Sequence, residues 1–366
     1  MVIDILVAVA YRGGVEEVIN ATGKYLKNRG HSIRIIHALW QGEAWADKNL
    51  NLYTLFDVTN GIWKGDMTPL VQAYASFMTD NGFPDGIICA GWPILIDLAK
   101  NALNTVKKSI PVFSWCHQNI EAYEKEGVGG FSELSRADGH FAINRKIAEN
   151  LKTKSRAENV YCVRNPVNTE RIVFCRDRDI HRLAYVGRLA PEKDLPFLLQ
   201  TLSLMPPSFS LDIIGDADPE GLVLQSLKEY ARSLGIEQRV TFHGWKKNPW
   251  ELLTHTGALL LTSEREGYPL VLIEAMLCGM CVISTPTDGP MEMIRPGENG
   301  FIFPFGDHAF LIKLLRLLEL GSIPTPDPET CRNTFSYVID HKELYDFNQK
   351  LEALIRKEPL AEINEL

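Results

Sequence analysis

The chain has 366 residues, 45% of them apolar and 23% charged, with a formal net charge of −8. That length exceeds one ordinary hydrophobic core and predicts two domains, while the acidic balance argues against nucleic acid as the main partner. The seven cysteines lack repeated C-x-x-C spacing, which points away from zinc and toward reduced thiols in a cytoplasmic setting, and no apolar run is long enough to span a membrane.

Val2–Ala10 is a short apolar run without a basic flank, so it predicts a first strand and not a signal peptide. Tyr11-Arg12-Gly13-Gly14-Val15-Glu16 follows, then a helix over Glu17–Asn28 and a second strand over Ser32–His37. The pair Gly13 and Gly14 between strand and helix lets the backbone approach a ligand closely. His31 reads as a turn residue. Trp40 to Lys64 carries Trp40, Trp45, Tyr53, Phe56 and Trp63, which suit either sugar stacking or local packing under a long loop. Gly86–Ala90, Pro111–Trp115 and Gly139–Ile143 read as buried strands, the last of them closing the first half. His117 stands just past the second of these. Thr169–Asp179 is charged and irregular, as a linker would be.

Leu183–Val186 opens the second half and runs into Gly187-Arg188-Leu189 and Pro191-Glu192-Lys193. Two cations, Arg188 and Lys193, beside helix N–H groups are what a diphosphate requires. Further strands are predicted over Leu211–Ile214 and Val240–Phe242, the latter followed by His243-Gly244-Trp245-Lys246. Asp216 and Asp218 imitate a metal-binding D-x-D, but a carboxylate pair without further ligands is weak support for a metal, and none is assigned.

Residues 258–285 form a β-loop-α-β unit: a strand over Ala258–Ser263, a loop, a helix over Leu270–Leu277 opened by Pro269, and a strand over Cys281–Thr285. The backbone N–H groups of Leu270, Val271 and Leu272 at the helix start suit a phosphate. Glu266 lies in the loop and Glu274 in an otherwise apolar helix, where a carboxylate must find a partner or raise its pKa. Carboxylates accept hydrogen bonds with both oxygens, so they suit neighbouring sugar hydroxyls. Phosphate and diol together describe a nucleotide.

The Glu-x7-Glu spacing of Glu266 and Glu274 inside EGYPLVLIEAM resembles the signature of retaining glycosyltransferases of family 4, with the GT-B fold. The V-G-R-L…E-K run at 186–193, the G-x-x-E and G-x-N-G turns after Thr285, and the Gly13-Gly14 loop fit the same family. The segments GIEQRV, Gly244-Trp245, Pro249-Trp250, LLLTS and EGYP are similar to those of the lipopolysaccharide core α-1,6-galactosyltransferases. The resemblance implies an α/β chain of two Rossmann-like doubly wound domains facing across a cleft. Residues 1–168 would form the acceptor-side domain, 169–336 the nucleotide-sugar domain, and 337–366 a helix packing back on the first.

By the same resemblance, Arg188 and Lys193 grip the donor diphosphate, Glu266 meets the donor sugar or its loop, and His117 contacts that sugar. Glu274 holds the ribose, Gly13, Gly14, Leu270 and Val271 meet phosphate, and Trp245 borders the nucleobase. The implied partners are a UDP-sugar donor, with galactose the first candidate, and a glycolipid or oligosaccharide acceptor, with no separate cofactor or metal. Peripheral contact with the inner membrane face would follow. UDP-glucose or UDP-GlcNAc as donor, or a UDP-sugar 2-epimerase on this fold, stay open as alternatives.

Overall fold

The computed structural model describes residues 1–8, 13–40, 45–57, 66–216 and 221–358, without the side chains of Trp40 and Asp57. The chain divides into two compact units, Met1–Pro166 with His341–Leu366, and Val167–Asp340.

The first unit is built on strands β1 (Val2–Val7), β2 (Ser32–Trp40), β3 (Asn51–Asp57), β4 (Gly86–Ala90), β5 (Val112–Cys116), β6 (Gly139–Ala142) and β7 (Val160–Cys162). They pair in the order β3-β2-β1-β4-β5-β6-β7, every pair parallel. Its central strands are apolar runs buried on both faces, as helix-covered parallel sheets require. Helices Gly14–Asn28, Thr68–Asn81 and Ile94–Thr105 connect them.

The second unit carries β8 (Asp179–Val186), β9 (Ser210–Ile214), β10 (Val240–Gly244), β11 (Thr256–Leu261), β12 (Cys281–Ser284) and β13 (Gly300–Ile302), in the order β10-β9-β8-β11-β12-β13, again all parallel. Both sheets are doubly wound. In each, the strand order reverses beside the first strand, between β1 and β4 and between β8 and β11. Loops leave such neighbours in opposite directions, and the crevice between them is where ligands bind in open parallel sheets.

Several expectations need correction. β3 lies within the aromatic stretch expected to be loop. Its residues alternate between half-buried and exposed because it is an edge strand, so it lacks the unbroken apolar run of the central strands. β7, only three residues long, is the last strand of the first sheet, in place of Gly139–Ile143. After β10, residues Trp250–Leu252 form a 3-10 turn. The aromatic stretch is in part local packing. The Trp45 indole stacks on His37 and donates to its Nε2, and Tyr53 meets Phe77 edge-on at 4.8 Å. Phe56 is exposed, and Trp63 lies outside the described residues.

His31 is more than a turn residue. Its buried Nε2 lies 3.0 Å from Asn348 Oδ1 and 3.1 Å from Glu352 Oε1, both on the helix Lys342–Arg356. Phe347 of that helix packs against Trp115 and Phe141, so the helix belongs to the first unit's core. Near its start, Glu343 is 2% exposed, and neither carboxylate oxygen meets a hydrogen-bond partner on another residue among those described. A helix N-terminus favours negative charge, and the residue's own N–H acts in that sense, but burial outweighs both and pushes its carboxyl up to about 7.

A carboxyl raised in the folded state binds its proton more tightly there than in the unfolded chain. This contribution is therefore greatest at low pH and falls as pH rises from about 4.5 through about 7. Glu343→Gln is expected to stabilise the protein at pH 8 by roughly 3 kcal/mol at most and to change little at pH 4. Thermal melts of both proteins across that range check it, and equal gains at the two ends would refute the assignment.

Candidate functional site

The loops after β8 and β11 meet at the second unit's reversal of strand order. β8 runs into Gly187 and Arg188, and a 3-10 turn over Pro191–Lys193 follows. The neighbouring strand ends lie close: Gly187 N–H donates to Ile214 O at 3.0 Å and Gly215 N–H to Gly244 O at 3.0 Å. A Cβ on Gly215 would sit 1.8 Å from the Gly187 carbonyl oxygen, so only glycine permits this approach.

Lys193 is pinned twice. Its carbonyl accepts the Thr262 hydroxyl at 2.7 Å, and its ammonium donates to Glu266 Oε1 at 2.7 Å. The Ser263 hydroxyl donates to the same carboxylate oxygen at 2.7 Å. Thr262 and Ser263 are buried at the end of β11, and the side chains of Lys193 and Glu266 are 18% and 11% exposed. The pair thus bridges the two loops in a poorly hydrated place, where charges act at lower effective dielectric than on the surface. Arg188 differs: its side chain is 58% exposed and its guanidinium bonds Glu192, four residues on, at 2.6 Å. Glu264, in the same loop as Glu266, is exposed.

The helix Leu270–Leu277 begins at Pro269 with no side-chain cap, and its first two residues, Leu270 and Val271, are half-buried. One expectation fails here: Leu272 N–H donates to the Pro269 carbonyl at 3.2 Å, leaving Leu270 and Val271 as the forward-pointing groups. Glu274 is 4% exposed among buried apolar neighbours, and its carboxylate pairs with the guanidinium of Arg171. The structure brings Lys193 and Glu266 together; Glu274 is held separately, by a residue expected to be linker.

Trp245, just past β10, is 53% exposed. In the first unit, Gly13 caps the helix Gly14–Asn28 in an extended conformation. A Cβ on Gly14 would meet nothing within 4 Å among the described residues, and its backbone is not left-handed. The chain's own conformation therefore does not demand glycine at 14. Residues 9–12, the rest of that loop, lie outside the described residues. His117 follows β5; its backbone N–H donates to the Tyr123 hydroxyl at 3.0 Å and its ring tilts against Trp115. Desolvation pushes its imidazole down to about 3, so it is neutral at physiological pH, and its buried Nε2 meets no partner among the described residues. Asn144 caps the helix Arg145–Lys154 by accepting from Ile147 N–H at 2.8 Å.

Sequence reasoning missed Arg171, Thr262 and Ser263. The two hydroxyls end the apolar run of β11, a polar stop that marks a strand's carboxyl end. Arg171 carries no such signal, because its pairing spans 103 positions.

Among the described residues no cluster of side chains could hold a metal ion, and no helix is long and apolar enough to cross a membrane. Residues 176–334 match the family described as glycosyl transferases group 1. The lipopolysaccharide 1,6-galactosyltransferase of Escherichia coli (strain K12) is 32% identical over 253 residues, 66% of this chain and 67% of that protein. The structure of the lipopolysaccharide outer core galactosyltransferase WaaB, in its apo form, superposes with a TM-score of 0.77 at 26% identity, covering 96% of this chain and 99% of the other. Anabaena Alr3699/HepE, in complex with UDP-glucose, superposes with a TM-score of 0.76 at 19% identity, covering 98% and 100%; at that identity the likeness is one of fold.

The coupling of Lys193 to Glu266 is open to a direct test. Lys193→Ala leaves the carboxylate without its cation and is expected to destabilise the protein by roughly 2 kcal/mol, less than the 3–5 kcal/mol of a fully buried pair. Adding Glu266→Gln removes the stranded charge, keeps an acceptor for Ser263, and should restore most of the loss in urea denaturation. A double variant no more stable than the single one would show that the two side chains are not coupled.

Proposed function

Because this chain belongs to the glycosyl transferases group 1 family and has the GT-B fold, we propose that it is a retaining hexosyltransferase. In this reading it moves galactose from a UDP-sugar to a hydroxyl of a bacterial glycolipid of the lipopolysaccharide-core type. The observation that carries the reading is the Lys193 ammonium, largely buried at the β8/β11 crevice and held by Glu266. A sequestered cation at such a place suits a group whose negative charge grows during reaction.

In the proposed transfer, the bond between the anomeric carbon and the diphosphate oxygen breaks, a bond to the acceptor oxygen forms, and the acceptor hydroxyl's proton passes to the departing diphosphate. Charge builds on the departing UDP, and Lys193 and Arg188 offset it. Preorganised charge of this kind is commonly a dominant catalytic term, about 3 kcal/mol per group. Arg188, exposed and loosely paired, is able to turn to the diphosphate at little cost, since surface ion pairs contribute about 0–1 kcal/mol. The Leu270 and Val271 N–H groups would receive phosphate oxygens. Glu274 would take the ribose diol, and Trp245 would border the base. His117, neutral because burial holds its imidazole down, and the Gly13-Gly14 backbone would also contact the donor.

The choice of sugar and acceptor is supported by the E. coli relative and by WaaB, both named as lipopolysaccharide galactosyltransferases. The choice of nucleotide is supported by the cationic site, and it accords with the UDP-glucose held by the Anabaena protein of the same fold. With no membrane-crossing helix among the described residues, a glycolipid would be met from the side, at the cytoplasmic face of the inner membrane.

Two measurements test the reading. UDP and UDP-galactose are expected to raise the thermal midpoint while GDP leaves it unchanged; stabilisation by GDP alone would overturn the donor assignment. Lys193→Ala should lower turnover of UDP-galactose with a lipopolysaccharide-core acceptor by about 100-fold or more, and near-normal turnover would remove Lys193 from the chemistry.

A further inference from the structure

We propose that Arg171 is the positioning residue of the donor site, holding the Glu274 carboxylate where it receives the ribose hydroxyls of the nucleotide. The inference rests on the reading that Glu274 takes that ribose and adds the residue that makes it able to do so.

Every side chain from Leu272 to Leu277 is buried, and Glu274 is the only charged residue of that helix. An ionised carboxylate in such surroundings persists only with a compensating charge or hydrogen bonds. Arg171 supplies this through its Nη2, which bonds Glu274 Oε1, and its own side chain is 20% exposed. A carboxylate offers two oxygens and about four lone-pair positions, so a guanidinium at Oε1 is compatible with sugar hydroxyls at the same group. Arginine is also charged at every accessible pH and bonds through fixed directions, which orients its partner as well as neutralising it.

Arg171 is itself held in place. It ends the 3-10 turn Thr169–Arg171, whose start is capped by the Asn168 side chain accepting from Glu170 N–H at 3.1 Å. Downstream, Cys175 N–H donates to the Cys278 carbonyl at 3.1 Å. Arg178 donates to that same carbonyl and to Leu253 O at 2.8 Å. The segment is thus tied to the helix Leu270–Leu277 at its C-terminal cap by a backbone bond and the Arg178 side chain, and along its length by Arg171. This twofold attachment distinguishes a fixed support from an incidental surface contact. Only four positions separate Arg171 from Val167, where the second unit begins, so the first turn of that unit reaches the donor site directly.

The test compares binding of UDP and of 2′,3′-dideoxy-UDP to the whole protein by calorimetry, for wild type, Arg171→Ala and Glu274→Gln. Hydrogen bonds to a charged group correspond to roughly ten- to hundredfold in affinity, so wild type should prefer UDP over its dideoxy analogue by at least about tenfold. Arg171→Ala should bring that ratio near one, as Glu274→Gln should. A simple loss of fold or general weakening would lower both affinities together and leave the ratio unchanged. If Glu274→Gln abolishes the preference and Arg171→Ala preserves it, the positioning role is overturned while the Glu274 assignment stands. If neither variant changes it, Glu274 does not meet the ribose and both ideas fall. Should the alanine variant not fold, Arg171→Lys and Arg171→Gln carry the question. The lysine variant is expected to keep part of the preference and the glutamine variant to lose it; equal ratios would overturn the proposal.

Discussion

The contact between the Lys193 ammonium and the Glu266 carboxylate spans the one place in the second sheet where neighbouring strands send their loops apart. A parallel sheet wound in both directions leaves a crevice there by topology alone. What the crevice can bind depends on what lines it. Here a largely desolvated ion pair lies across it, with hydroxyls of Thr262 and Ser263 fixing the backbone of one partner and the carboxylate of the other. The pair needs its supports. The close approach at Gly187 and Gly215 brings the β8 and β9 ends together, and the left-handed Asp194 turns the chain into the next helix, whose Phe197 N–H it caps.

Buried charge recurs in the first unit with a different outcome. Asp4 on β1 and Arg34 on β2 are cross-strand neighbours; the guanidinium also donates to Asn81 O and Gly82 O, and the Tyr74 hydroxyl donates to Asp4. Burial raises the Asp4 carboxyl even against the arginine and tyrosine bonds. This cluster ties β1 and β2 to the end of the helix Thr68–Asn81, near the amino ends of the strands, on the side away from the reversal crevice, and reads as architecture. Lys193–Glu266 lies in the loops that follow β8 and β11, beyond their carboxyl ends. Similar interactions thus occupy opposite ends of the strands in the two sheets.

Glu274 and Glu343 show how burial and partnership compete. Each is a carboxylate almost removed from solvent on a helix. Glu274 has a guanidinium; Glu343 has none among its hydrogen-bond partners, and its carboxyl is pushed up to about 7. Nothing in the local sequence around either residue foretells which will be which.

The sequence alone determined the regular part of the protein. Apolar runs such as GIICA and ALLL identify strands buried on both faces, and Pro269 with Gly279 brackets the helix Leu270–Leu277, because these signals act over a few residues and depend on solvent exclusion and backbone geometry. The placement of Arg188, Lys193 and Glu266 was legible for the same reason, since each follows a recognisable strand end. Tertiary structure alone decided the rest. The edge strands β3 and β7 lack the unbroken apolar pattern because one side of an edge is wet. Pairings such as Arg171 with Glu274 and His31 with Glu352 join positions more than a hundred residues apart. A partner for a buried charge is chosen by which surfaces the fold brings together, and that choice leaves no periodic trace in the chain.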